Sequence, residues 1–239
     1  MNEMETIYQR TEILLGKESV EKLKTKHVVV FGVGGVGSFV VEALARVGIL
    51  NITVIDKDIV DITNINRQLI ATNKTIGMDK VEVAKERILD INKDANILAI
   101  KENVTLENIY EILTKKITKK IDYVVDCVDN VDAKIAIMQK CYNENINCIS
   151  SMGMGNKLNP LDIRVGDIFK TSVCPLAKKI RKRLKELDIN KQKVVYSIEL
   201  PKQKTEEEKN IYGNTLGSVS FVPSVGGLVI ASEVIKDLM

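Results

Sequence analysis

A chain of 239 residues with a net charge of +3 is long enough for one large α/β domain, or for a core with an appended subdomain. It holds no apolar run of about eighteen residues, so no membrane-spanning helix is expected, and the acidic N-terminus MNEMETIYQR lacks the apolar segment of a secretory signal. Four cysteines with no C-x-x-C pair exclude a paired-cysteine zinc site and suit a reducing, cytoplasmic setting, and a single histidine, His27, argues against a histidine base.

Residues 5–24 read as two short helices separated by Gly16, with Arg10 in a polar stretch where it is equally well a solvated arginine. The segment from His27 to Asp58 then reads as a buried strand (28–31), a glycine turn, a helix (38–47) and a second strand ending in Asp56 and Asp58. Gly32, Gly34 and Gly37 have the G-x-G-x-x-G spacing, which on its own is a weak signal. Here it follows a strand, opens a helix and precedes an acid at the end of the next strand, which is the context of a nucleotide-binding βαβ unit. The N–H groups at that helix start face an anion.

Residues 61–75 are polar and predict a loop with one helical turn, carrying Asn64, Arg67 and Gln68. An amphipathic helix follows over 78–91. Lys80 in its first turn opposes the helix dipole, a small cost that favours a ligand-facing role over that of an ordinary surface lysine. A third strand (96–101), a helix (105–115), a fourth strand (121–126), a helix (131–142) and a strand (147–150) complete an alternation that implies right-handed crossovers and a parallel sheet. Asp126 and Asp129 fall at the carboxyl end of the fourth strand, where such sheets place their ligands.

Beyond residue 151 the pattern changes. An edge strand or hairpin is expected near 161–170, then a basic helix over 174–187, a strand over 193–201, a charged mobile stretch over 202–213, and a strand-like run stopping at Pro223 before a final small-residue helix. The basic helix gathers Lys178, Lys179, Arg181, Lys182, Arg183 and Lys185 within eight residues, which permits a polyanionic partner or a merely solvated face. The fold class is therefore α/β: a Rossmann-like, mostly parallel, doubly wound sheet with a C-terminal α+β elaboration. A nucleotide-binding core (1–150) and the elaboration (151–239) are expected within a single domain.

The order Arg10, glycine turn, Asp56-x-Asp58, Asn64-x-x-Arg67-Gln68, Lys80 and Asp129 separates two chemistries. A dehydrogenase needs the glycines and one acid. A nucleoside triphosphate uses the whole set: Asp56 for the ribose, Arg67 and Lys80 for phosphates, and Asp129 for Mg²⁺. Attack of a carboxylate on the α-phosphate would give an acyl-adenylate and require mainly positioning and charge stabilisation.

GVGGVGS, IDKD, TNINRQ, the lysine of GMDK, and DCVDN together closely resemble the ubiquitin-activating-like family of adenylating enzymes. The resemblance implies that Gly32, Gly34, Gly35, Gly37 and Asp56 lie against ATP, and that Asp58, Asn64, Arg67, Gln68 and Lys80 surround its ribose and phosphates. It also implies Asp129 near Mg²⁺ and Arg10 reaching the partner subunit's nucleotide across a homodimer interface. Catalysis would rest on Arg10, Arg67, Lys80 and Asp129.

The second half resembles one branch of that family. MGMGNKLNPLDIRVGDIFKTSVCPLAKKIRKRLK and VVYSIELP are similar to the tRNA threonylcarbamoyladenosine dehydratases, although Cys174 stands where an acid is expected before Pro-Leu. It reads as a buried substitution or as a reactive thiol. This branch implies ATP-dependent cyclisation of the threonylcarbamoyl group beside the anticodon, with tRNA on the basic helix and a sulfur-relay protein partner left open. Activation of a ubiquitin-like sulfur carrier is the alternative, against which the missing cysteine pairs weigh.

Overall fold

The computed structural model describes residues 6–239. Two short helices, α1 (Gln9–Leu15) and α2 (Lys17–Thr25), lead into β1 (His27–Phe31), then α3 (Gly37–Val47) and β2 (Asn51–Asp56). These are followed by α4 (Lys80–Ile91), β3 (Asn96–Lys101), the short α5 (Ile109–Glu111), β4 (Tyr123–Asp126), α6 (Val131–Asn143) and β5 (Cys148–Ser151). The C-terminal part contributes β6 (Ile163–Asp167), α7 (Pro175–Glu186), β7 (Lys193–Ser197), α8 (Glu206–Tyr212) and α9 (Phe221–Leu238).

The strands form one seven-stranded sheet in the order β3-β2-β1-β4-β5-β7-β6. All neighbouring pairs are parallel except β6, which runs antiparallel to β7 along the edge. The period-2 alternation of β1 explains the double winding. Val28 and Val30 enter a core built with α3, α4 and α9, while Val29 and Phe31 face the opposite core with α6. A third cluster joins α6 and α7 beneath β7 through Met138, Ala177, Ile180 and Val194. The strand order reverses between β1 and β4, and that switch point is where the glycine turn sits.

Several expected elements differ in the structure. The 105–115 helix shrinks to α5 plus a π-helical turn, Ile112–Lys116. β7 ends at Ser197, because the Glu199 carboxylate turns back to accept the backbone N–H groups of Leu158 and Asn159. The charged stretch 202–213 contains α8, whose start is fixed by a capping box: Thr205 and Glu208 satisfy each other's backbone N–H groups. The run before Pro223 is not a strand. α9 already begins at Phe221, and Pro223 is tolerated in its first turn because no intrahelical partner needs that missing N–H.

Candidate nucleotide site at the glycine turn

The four glycines of the turn do different jobs. Gly32 has φ +83°, and a Cβ there would lie 2.9 Å from the Cys127 carbonyl carbon; a Cβ on Gly37 would meet the Gly32 carbonyl oxygen at 1.8 Å. These two are required by the turn and by the approach of β1 to β4. Gly34 and Gly35 are different. A Cβ would find the Gln68 amide nitrogen at 3.7 Å in the first case, and Arg67 and Pro223 carbons at 3.4 Å in the second, which is ordinary contact. Internal packing thus leaves room for a side chain at both positions, and their bareness keeps backbone open to whatever approaches from outside.

β2 delivers the acids. One Asp56 carboxylate oxygen accepts the Val33 N–H at 2.7 Å and the other accepts the Asp58 N–H at 2.9 Å, so Asp56 fixes the turn. Asp58 is 51% exposed at its side chain and pairs with the buried Lys80 ammonium at 2.9 Å. The pair is framed by the backbone, since the Lys80 N–H donates to the Asp58 carbonyl. Lys80 is the first residue of α4, with Asp79 at its cap.

The loop after β2 is ordered by Asn64, which is buried and accepts the Asp61 N–H through its side-chain oxygen, while Asp61 accepts the Thr63 N–H. That capped turn orients the next two side chains. Arg67 is half-buried and tethered by one guanidinium nitrogen to the Thr63 carbonyl at 2.9 Å and to the Asn66 side chain at 3.0 Å, beside Gly35. Gln68 is 6% exposed, and its carbonyl oxygen has no hydrogen-bond partner. An orphaned buried acceptor next to a bare glycine suits a polar ligand group delivered there.

Asp129 is exposed in the turn between β4 and α6, just before Asn130, whose side chain caps α6 by accepting the Ala133 N–H. Among the described residues, no group of three or more His, Cys, Asp or Glu side chains could hold a metal ion. A divalent ion here would draw most of its ligands from water and phosphate, the usual habit of Mg²⁺.

The structure brings Gly34, Gly35, Arg67 and Gln68 together, and separately Asp58 and Lys80. It does not bring Arg10 to them within the chain: Arg10 is exposed on α1, a helix with no buried residue. On α7, two of the six basic residues have partners within the chain, Arg183 only through an exposed surface pair. Arg181 donates to Thr171 and Ile168, and Arg183 pairs with Asp132 at 3.2 Å. Lys178, Lys179, Lys182 and Lys185 are exposed. Cys174 is buried in the cluster between α6 and α7, as a packing substitution would be.

Asp126, singled out in the sequence at the end of the fourth strand, is fully enclosed rather than open to a ligand, and its partner is a lysine that sequence reasoning missed. Asp126 and Lys134 form an ion pair at 2.9 Å with both side chains 0% exposed. The second Asp126 oxygen accepts the Val128 N–H, so the pair holds the base of the turn that carries Asp129. A lysine in a helical pattern reads as surface, and nothing in the sequence marks this one as interior.

A model of the ThiF family matches residues 8–239. The tRNA threonylcarbamoyladenosine dehydratase of Bacillus subtilis is 41% identical over 97% of this chain and 94% of its own. That of Haemophilus influenzae is 41% identical over 71% of this chain and 63% of its own. The structure of the Escherichia coli dehydratase TcdA in complex with ATP superposes with a TM-score of 0.87 at 33% identity, covering 97% of this chain and 93% of that one. The chain belongs to the ThiF family, in its tRNA threonylcarbamoyladenosine dehydratase branch.

Proposed function

We propose that the protein uses ATP to activate the carboxylate of a threonylcarbamoyl group on a tRNA adenosine beside the anticodon. The observation that carries this reading is the open Gly34–Gly35 backbone flanked by the Arg67 guanidinium and the orphaned Gln68 acceptor. A carboxylate oxygen attacks the α-phosphorus, the bond to the β-phosphate breaks, and pyrophosphate leaves. A nucleophilic atom of the same side chain then displaces AMP from the acyl carbon, so the oxygen lost from the side chain departs on the nucleotide.

Each residue has a task in that sequence. Asp56 accepts from the ribose hydroxyls, while Asp58 and Asn64 hold the loop and Lys80 in place. Arg67 and Lys80 offset charge as it builds on the phosphates, and Arg67 does so with a fork that matches two oxygens at once. Asp129 would hold Mg²⁺ jointly with the phosphates, the metal supplying further charge neutralisation when bound. Arg10 would complete the nucleotide site of a second copy. In support, its helix exposes Ile13 and Leu14 by 81% and 83%, an apolar surface suited to burial in a homodimer. Lys178, Lys179, Lys182 and Lys185 would contact the phosphodiester backbone.

The test is nucleotide turnover with matched RNAs. AMP and pyrophosphate are expected only when threonylcarbamoylated tRNA is supplied. Equal turnover with unmodified tRNA, or turnover stimulated by a small ubiquitin-like protein in its place, overturns the reading.

A further inference from the structure

Lys157 is a buried cation that the chemistry above leaves unused. It is 3% exposed, and its ammonium donates to a single acceptor, the Ser197 carbonyl oxygen, at 3.1 Å. Among the described residues no carboxylate oxygen lies within 4.0 Å of it. The acids whose charge reaches it, Glu199 and Asp162, are occupied elsewhere. Glu199 accepts the N–H groups of Leu158 and Asn159, and Asp162 accepts from the Asn159 side-chain amide at 3.0 Å. Burial lowers the Lys157 pKa, and the Glu199 and Asp162 charges offset this only in part. An enclosed ammonium without an anion is costly, and an anion from outside would remove that cost.

Lys157 lines a cavity of about 370 Å³ shared with Asn156, Lys202, Lys204, Tyr212 and Ser218, a volume in the range of small-molecule sites. Asn156 assembles it from three segments. Its backbone and side chain pair with Gly217 at 2.8 and 2.7 Å, and its carbonyl accepts the Lys202 N–H at 2.7 Å. The cavity also borders the nucleotide turn. Ser218, in its wall, accepts a hydrogen bond from Asn66, the neighbour of Arg67, and Pro223 on the same stretch lies against Gly35.

We propose that this cavity receives the carboxylate-bearing side chain of the RNA nucleoside, and that Lys157 is the cation that selects it. The inference rests on the adenylation reading, which needs a free carboxylate brought to the α-phosphate. A phosphodiester would offer the same anionic chemistry, so the experiment compares two anticodon stem-loops that differ only in whether the adenosine carries the threonylcarbamoyl group.

Wild-type protein should prefer the modified RNA. Lys157→Gln should raise KM for it by about tenfold or more, erase the preference, and leave KM for ATP unchanged. Lys157→Arg should restore part of the preference. Lys157→Met, which keeps the side-chain volume, supplies the same measurement if the glutamine variant does not fold. A variant that retains the preference, or that loses affinity equally for both RNAs, overturns the assignment. Wild-type protein that releases no pyrophosphate with modified RNA overturns instead the adenylation reading beneath it.

Discussion

Asp126 and Lys134 show how far a single enclosed contact reaches. Each Asp126 oxygen has one partner, the Lys134 ammonium or the Val128 N–H, and the turn they secure presents Asp129 three residues on. Replacing one member strands the other charge in the core, at a cost of about 3–5 kcal/mol. Lys134→Met should therefore lower Tm by many degrees and weaken Mg²⁺ dependence, while the double variant Asp126→Asn with Lys134→Met should recover most of the Tm. Thermal unfolding of the three proteins checks this, and additive losses would contradict it. At this scale the sequence revealed the polar residues with motif spacing, Asp56, Arg67 and Lys80 among them. It hid Lys134 and Lys157, because burial of a lysine depends on tertiary packing that no local pattern records: Lys134 meets Asp126 on β4, eight residues back, and Lys157 meets Ser197, forty residues on.

On the proposed reading, the glycine turn separates folding from binding. Gly37→Ala would drive a methyl into the Gly32 carbonyl, and the protein should fail to fold. Gly34→Ala meets only ordinary contact, so Tm should hold within a few degrees while ATP affinity falls about tenfold or more as the methyl stands between backbone and ligand. Calorimetric titration with ATP alongside thermal melts distinguishes the two roles; a Gly34→Ala protein binding ATP normally would place the nucleotide elsewhere. The strands of the parallel sheet were legible because apolar runs and crossover spacing are local signals. The C-terminal elements were less so. The capping box of α8 was present in TEEE but outweighed by its charge, and Pro223 resembled a stop although the first turn of a helix accepts it.

Two predictions concern the molecule as a whole. If α1 is the seam between copies, Ile13→Glu should give monomers by light scattering and depress turnover. Mixing Arg10→Ala with Arg67→Ala protein should restore about a quarter of wild-type activity through hybrid dimers holding one intact site; no restoration would place both residues in the same chain's site. The second concerns acid stability. His27, the only histidine, is buried with its ring bonded to the Lys120 carbonyl and Thr53 hydroxyl, and burial lowers its pKa below 6.5. The unfolded chain then binds the proton more readily, so stability is full above about pH 6.5 and is lost as pH falls below it. Tm should fall as pH drops below about 6.5, and His27→Gln should flatten that slope.

The last helix has a consequence for biosynthesis. Val222, Ile230, Ala231 and Val234 of α9 share one core with Val28 and Val30 of β1, and a Cβ on Gly227 would lie 2.4 Å from the Val36 carbonyl oxygen in the glycine turn. β1 and α9 are therefore one packing unit. As the chain is translated, the apolar face of β1 and α3 waits for residues nearly two hundred positions later, so the nascent protein carries an open groove until α9 clears the ribosome. Chaperones that bind extended apolar segments should hold it during that interval, and a ribosome stalled before residue 221 should display a chain that binds no ATP.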